Sequence, residues 1–243
     1  MGAVVTFLSD FGTKDAYVAQ VKAVILSKAP WARIVDITHD VDPFDIVSAG
    51  WLLFTSHGFF PEGTVHLAVV DPGVGTDRAV LAVHKGAHTF VGPNNGIFSF
   101  LYPADDVLKV AWRPLGPISS TFHGRDVFAP IVARILTEGV HDLPAEPCPE
   151  PVRFDTVSPM VVHVDRFGNM VTNIRPEHLG PGKAVVVNGV MVDGLYGTYA
   201  EIPQGRLGLV TGSAGTIEIA SPLTRASDIV RAGPGHKVLV VSQ

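Results

Sequence analysis

Asp71 and Arg78 stand at the two ends of a glycine-rich run, Asp71-Pro72-Gly73-Val74-Gly75-Thr76-Asp77-Arg78. A turn of this composition doubles back and brings an acid and a guanidinium toward one point. The residues before it, Thr64 to Val70, read as a buried strand, so Asp71 falls where a parallel strand ends and its loop begins, the place where α/β sheets bind ligands. The pair therefore reads as part of an active-site loop, with an ordinary surface ion pair as the plainer alternative. Two common phosphate loops are excluded. A dinucleotide fingerprint would need a glycine where Arg78 stands, and no lysine-serine pair follows the turn.

Other polar groups occupy similar loop positions. Ser9-Asp10-Phe11-Gly12-Thr13-Lys14-Asp15 lies between the first strand and the first helix. An ionised carboxylate there can accept from two neighbouring hydroxyls, which suits a ribose diol; Asp15 fits a helix N-cap equally well. Pro93-Asn94-Asn95-Gly96 is a tight turn. Thr121-Phe122-His123-Gly124-Arg125-Asp126 sets a histidine and two charged residues ahead of a helix, with a structural histidine as the alternative. Farther on, Asp165-Arg166-Phe167-Gly168-Asn169 could stack on a purine and read its edge, or serve as core and turn, and Gly212-Ser213-Ala214-Gly215 has the same standing.

Several chemistries lack their residues. Among ten histidines only His84 and His88 are four apart, in a segment that reads as strand and turn, and no zinc motif is present. No serine sits in a Gly-x-Ser-x-Gly elbow. The formal net charge of -5, without basic runs, speaks against nucleic acid or an anionic membrane and for a small-molecule partner. One cysteine, Cys148, precludes a disulfide framework and fits a reducing cytoplasm. The first apolar run ends at Asp10, too early for a signal peptide or a membrane span. Met1 to Thr6 matches a myristoylation pattern, but a core strand over Val4 to Leu8 would bury that site.

The elements that must carry these loops follow from periodicity. Strands are expected over Val4 to Leu8, Arg33 to Ile37, Val65 to Val70, Val80 to Val83, Thr89 to Gly92 and Val107 to Val110. Helices are expected over Ala16 to Ser27, Ile46 to His57 and Val127 to Leu136. The alternation predicts an α/β domain over residues 1–142 with a largely parallel sheet. Four prolines within Leu143 to Pro151 argue against regular structure and mark a linker over 143–153. Beyond it, short apolar runs separated by Gly, Pro and Asn predict a small all-β, barrel-like domain over 154–243.

Taken in order, Ser9-Asp10-Phe11-Gly12, Val70 to Arg78, Pro93 to Gly96, Phe122 to Asp126 and Phe167-Gly168-Asn169 resemble the motifs of the S-adenosyl-L-methionine hydroxide adenosyltransferases. That family is related to the fluorinase and chlorinase enzymes. The resemblance covers nearly the whole chain. It implies hydrolysis of S-adenosyl-L-methionine (SAM) to adenosine and L-methionine with no metal or other cofactor, in a homotrimer whose active sites lie between one subunit's N-terminal domain and a neighbour's C-terminal domain. Position by position, Asp71, Arg78 and His123 match a water-activating triad, and Asp10 matches the acid on the ribose hydroxyls. Phe167, Asn169 and Tyr199 match the adenine site. Asp15, Asp165 and Ser213 match positions around the methionine portion, and Asn95 falls on the substrate side as well. The halogenating relatives carry tyrosine at the position of Asp71, and an ionised Asp71 would repel a halide. A SAM- or adenosine-binding module with negligible turnover, a halogenase and a glycosyl-transferring enzyme are the competing readings.

Overall fold

Val4–Ser9 (β1) and Val65–Val69 (β3) are buried strands: every residue from Val5 to Ser9 and from Val65 to Val69 is shielded from solvent. Strands buried on both faces belong at the centre of a sheet covered by helices. The computed structural model describes residues 2–180 and 182–242. It places β1 between Arg33–Thr38 (β2) and β3, with parallel pairing on both sides. The chain divides into two compact units, Met1–Phe154 and Asp155–Gln243.

In the first unit β3 also pairs in parallel with His88–Pro93 (β5). From there Val80–Lys85 (β4), Asp106–Val110 (β6) and Ala145–Pro147 (β7) continue the sheet with antiparallel pairing, giving the order β2-β1-β3-β5-β4-β6-β7. The sheet is therefore mixed, where a largely parallel one was expected. The physical reason is the short connection at Gly86-Ala87 between β4 and β5: two residues can join only antiparallel neighbours. The proline-rich stretch also departs from expectation, because β7 lies within it. Its place at the sheet edge tolerates prolines, which cannot donate to a ladder.

Tyr17–Lys28 (α1), Ile46–His57 (α2) and Ala129–Glu138 (α3) cover the sheet. Alternation along β1 assigns its side chains to opposite faces. Val5 and Phe7 join Val21 and Ile25 of α1 and Ile131 and Val132 of α3 in one core cluster. Leu8 joins Ala49 and Leu53 of α2 with Phe90 and Phe98 in the other. Asp45 caps α2 by accepting from the Ser48 backbone N–H at 3.0 Å. Asp15 does not cap α1; the N-cap is Ala16, with no side-chain hydrogen bond.

The second unit is built from short strands and two short helices, Pro176–Leu179 (α4) and Ala226–Val230 (α5). Val161–Val164 (β8), Met170–Thr172 (β9), Leu195–Tyr196 (β12), Gly208–Thr211 (β13) and Ile217–Ala220 (β14) form one sheet, in the order β12-β13-β14-β9-β8. Lys183–Val187 (β10), Val190–Val192 (β11) and Val238–Ser242 (β15) form another, in the order β11-β10-β15. Where a barrel-like domain was expected, the strands fall into these two sheets, and a single core cluster draws Val161, Leu209 and Ile219 from the first and Val185, Val187 and Val238 from the second. Among the described residues no helix is long and apolar enough to cross a membrane.

One buried polar group ties the sheet's core to acidity. His66 of β3 is fully buried, bonded through Nδ1 to Thr6 Oγ1 at 2.7 Å and through Nε2 to His88 Nδ1 at 3.1 Å. Burial, followed by the neighbouring His88 and His57, lowers its pKa from 6.5 to about 3. The unfolded chain thus takes up the proton first, so stability present above pH 6.5 is lost as the pH falls from there toward about 3. Urea midpoints measured across that window should decline with acidification, and His66→Gln should flatten the decline; an unchanged slope would contradict this role for His66.

Candidate active site

Parallel pairing of β1 with β3 sets Ser9 opposite Val69, so the two acids just beyond, Asp10 and Asp71, leave the sheet at the same edge. The Asp71 loop closes on itself. The Asp71 carbonyl accepts from the Val74 N–H at 3.3 Å, Asp71 Oδ1 accepts from the Gly73 N–H at 3.2 Å, and the Gly73 carbonyl accepts from Thr76 Oγ1 at 2.7 Å. Gly75 has φ +81°, and a Cβ there would come within 2.5 Å of the Ser120 carbonyl oxygen. Only glycine meets both conditions without strain, and its presence lets this loop press against the segment that carries His123. Asn95 braces the strand end: its Nδ2 donates to the Val70 carbonyl at 2.8 Å while its Oδ1 accepts from the Ile97 N–H at 3.2 Å.

Arg78 joins the two loops. Its Nε donates to Asp71 Oδ1 at 2.8 Å and Oδ2 at 2.7 Å, and its Nη2 donates to Asp71 Oδ2 as well. The same Nη2 lies 3.0 Å from His123 Nδ1. The side chains of Arg78 and Asp71 are 10% and 5% exposed, and the guanidinium carbon stands 4.9 Å from the Phe128 ring centroid. A guanidinium can only donate, so His123 Nδ1 accepts, and in the neutral ring the proton resides on Nε2. Burial first, and then the Arg78 charge, hold His123 below its ordinary pKa of 6.5, which favours that neutral form. The Asp71 carboxylate receives Arg78 and Gly73, and His123 Nε2–H is a donor that can serve a ligand.

His123 is presented by a wide, π-type turn, Gly124–Phe128, that leads into α3. Such widened turns recur at functional sites. Arg125 and Asp126, conspicuous in the sequence, serve that turn: Arg125 Nε donates to Asp126 Oδ1 at 2.6 Å, and Asp126 Oδ2 accepts from the Ser119 N–H at 2.9 Å.

A cavity of about 200 Å³ opens beside these groups, lined by Asp10, Phe11, Phe44, Asp71, Phe122 and His123 among others. A second cavity of about 310 Å³ lies against Arg78, Lys109, Arg113 and His123. The smaller one is the better candidate, because it joins both strand-end carboxylates to the histidine. Asp10 Oδ2 accepts from the Phe44 N–H at 3.0 Å. Burial, opposed by that bond and reinforced by the Asp71 charge, raises the Asp10 pKa. Phe11, Tyr17 and Phe122 pack edge to face, with centroids 5.0 to 6.2 Å apart for the pairs that include Tyr17 and 5.8 Å for Phe11 and Phe122. Sequence reasoning did not assign these aromatics. Phe11 and Phe122 carried a signal, adjacency to Asp10 and His123; Phe44, with φ 70°, carried none.

In the second unit Asp165 is the hub of its loop. Its Oδ1 accepts from the N–H of Phe167 at 2.9 Å and of Asn169 at 2.8 Å, and its Oδ2 accepts from Asn169 Nδ2 at 2.9 Å. Asn169 is buried, whereas Phe167 is 76% exposed. Tyr199 donates its hydroxyl to Glu218 Oε2 at 2.5 Å. Ser213 sits in the β13–β14 connection, where the Gly212 N–H donates to the Thr216 carbonyl at 2.9 Å. The first unit thus unites Asp10, Asp71, Arg78 and His123, braced by Asn95, with Asp15 exposed just ahead of α1. The second holds Asp165, Phe167 and Asn169 in one loop, with Tyr199 paired to an acid that the sequence motifs do not include.

Two family models match this chain in succession, one on each unit. The family model described as SAM hydroxide adenosyltransferase N-terminal domain matches residues 5–143, and the one described as SAM hydroxide adenosyltransferase C-terminal domain matches residues 160–239. A protein of Thermus thermophilus named (R)-S-adenosyl-L-methionine hydrolase is 38% identical, over 89% of this chain and 91% of its own length. A protein of the same name from Salinispora arenicola is 35% identical, over 98% and 97%. A fluorinase of Actinoplanes is 28% identical, over 70% and 71%. Among solved structures, an uncharacterized conserved protein of Thermotoga maritima superposes with a TM-score of 0.88 at 31% identity, over 98% of this chain and 100% of that one. With both domain models matched in order, and with site loops that coincide with the sequence motifs, the chain belongs to the SAM hydroxide adenosyltransferase family.

Proposed function

We propose that this chain hydrolyses S-adenosyl-L-methionine to adenosine and L-methionine by in-line attack of water on the ribose 5'-carbon. The observation that carries the reading is the hydrogen-bonded set Asp71, Arg78 and His123, of which Asp71 and His123 line one cavity with Asp10. The reaction is SAM⁺ + H₂O → adenosine + methionine + H⁺. The C5'–S bond breaks, its electron pair stays on sulfur, and a new C5'–O bond forms. A sulfonium leaves as a neutral thioether, so the leaving group needs neither protonation nor a metal, and catalysis reduces to handling the water.

Bulk water has a pKa of about 15.7, so attack at neutral pH requires positioning and stabilisation of the developing hydroxide. His123 Nε2–H orients the water, Arg78 supplies positive charge, and Asp71 fixes the guanidinium and receives the released proton as its bonds to Arg78 rearrange. Asp10 accepts the ribose hydroxyls. Phe167, Asn169 and Tyr199 meet the adenine, while Asp15, Asp165 and Ser213 meet the methionine portion. Asn95 acts from the substrate side by fixing the Val70 carbonyl next to Asp71. A homotrimer with sites shared between subunits, and residence in the cytoplasm, belong to the same reading. An ionised Asp71 beside the nucleophile disfavours halide, which separates this chain from the halogenating relatives.

Water enriched in heavy oxygen should label the 5'-hydroxyl of the adenosine formed, whereas release of free adenine would point to glycosidic cleavage instead. Asp71→Asn and Arg78→Ala should each lower kcat by roughly 10²-fold or more while binding of SAM persists. The double variant should be little worse than either single one, because groups that act as a unit are non-additive; additive losses would mean separate roles.

Asp10→Ala should raise KM, removing about 1.5 to 3 kcal/mol of charge-assisted hydrogen bonding, and a 2'-deoxyribose analogue should lose less affinity in the variant than in the parent. The pH profile provides a further check. Protonation of His123 fills Nδ1 and opposes Arg78, so kcat/KM should fall on the acid side at a pKa below 6.5. An acid limb at or above that value would contradict the neutral tautomer.

A further inference from the structure

Glu218 occupies the middle of β14, a strand whose residues Ile217 to Ala220 are all buried, and it is itself only 6% exposed. A carboxyl on an apolar strand is costly unless its hydrogen bonds are made. Here its Oε2 receives the Tyr199 hydroxyl at 2.5 Å. Room for the carboxyl comes from Gly212, since a Cβ at that position would overlap the Glu218 side chain. Glu218 therefore lies against Tyr199 on one side and against the Gly212-Ser213 turn on another. The Asp165 charge acts on both Glu218 and Tyr199, which brings the loop of Phe167 and Asn169 into the same neighbourhood.

We propose that Glu218 is a positioning residue for the adenine end of the substrate, holding the Tyr199 ring by its hydroxyl in the orientation that meets the base. This rests on the reading that Tyr199 touches adenine. A phenol on an exposed, one-turn segment such as Tyr199–Glu201 has several rotamers open to it, and a short bond to a buried acceptor selects one. Rigid aromatic surface loses little entropy on binding when it is already oriented. Burial, and then Glu218 itself, raise the Tyr199 pKa, so the phenol keeps the proton that makes the bond. Gly212 has a defined part: it admits the carboxyl to its place over the hairpin.

The test compares KM for SAM, kcat, and the Kd of adenosine, the uncharged product, in a set of single variants and one double variant. Glu218→Leu preserves an apolar strand and removes the acceptor; Gly212→Ala keeps the carboxyl and displaces it. Both should raise KM and the adenosine Kd in parallel, on the order of ten-fold for one lost charged hydrogen bond, with kcat within about two-fold of the parent. Glu218→Gln keeps an acceptor oxygen and should retain most of the affinity. Tyr199→Phe should match Glu218→Leu, and the two combined should be no worse than either. If Glu218→Leu and Gly212→Ala lower thermal stability but leave KM and Kd unchanged, Glu218 is structural and the proposal fails. If Tyr199→Phe weakens adenosine while those two do not, the adenine assignment survives and the role of Glu218 falls. If Tyr199→Phe is silent while Tyr199→Ala weakens adenosine, the ring meets adenine without help from its hydroxyl and the proposal fails; if Tyr199→Ala is silent too, the underlying assignment of Tyr199 falls, and the proposal with it. Where Glu218→Leu does not fold, Gly212→Ala decides alone.

Discussion

The fork of Arg78 is the interaction on which the first unit's site depends. A guanidinium with a side-chain exposure of 10% is stable only if its donors are used, and the ones it uses reach two different loops, the turn that begins at Asp71 and the segment that ends at His123. Its flat face is covered by Phe128, the last residue of the π-type turn. One cation thus fixes the rotamer of an acid, the tautomer of a histidine and the approach of two loops. Lysine could not replace it, since a point charge lacks the planar, multiply directed donors that span both partners.

Everything around that fork reduces the freedom of its parts. The parallel register of β1 with β3 brings Asp10 beside Asp71 without any specific contact between them, and the resulting like-charge proximity contributes to raising the Asp10 pKa. Asn95 immobilises the carbonyl before Asp71, and Gly75 removes the one Cβ that would keep the loops apart. Such a preformed set suits a displacement in which the leaving group needs no help. With a sulfonium leaving as a neutral thioether, orientation of the nucleophile and its field are what remain for the protein to supply.

The second unit uses carboxylates differently. Asp165 spends its oxygens on its own loop, in the manner of an Asx turn, and so presents Phe167 to solvent on a rigid base. Glu218 is bonded to a phenol rather than to a cation, and burial raises the pKa of both groups. In each case an acid organises the segment that carries an aromatic ring.

By itself the sequence determined strands β1 to β6 and helices α1 to α3 of the first unit, the loops that carry Asp10, Asp71 and His123, and the family, because those features rest on local periodicity, turn chemistry and ordered motifs. Pairing direction was only partly legible: the strands were found, but the two-residue connection at Gly86-Ala87 set β4 antiparallel within a sheet expected to be largely parallel. Edge placement rescued a proline-rich segment as β7, and a sheet edge is a property of the whole sheet that no local window contains. The same distinction holds at the site. That Asp71 and Arg78 meet could be read from a turn between them, whereas the tautomer of His123, the brace of Asn95, the wall of Phe44 and the bond of Glu218 to Tyr199 join residues 19 to 45 positions apart, or 34 for Asp10 and Phe44. Contacts across such separations arise only when the packed core brings their elements together, and tertiary structure alone decided them.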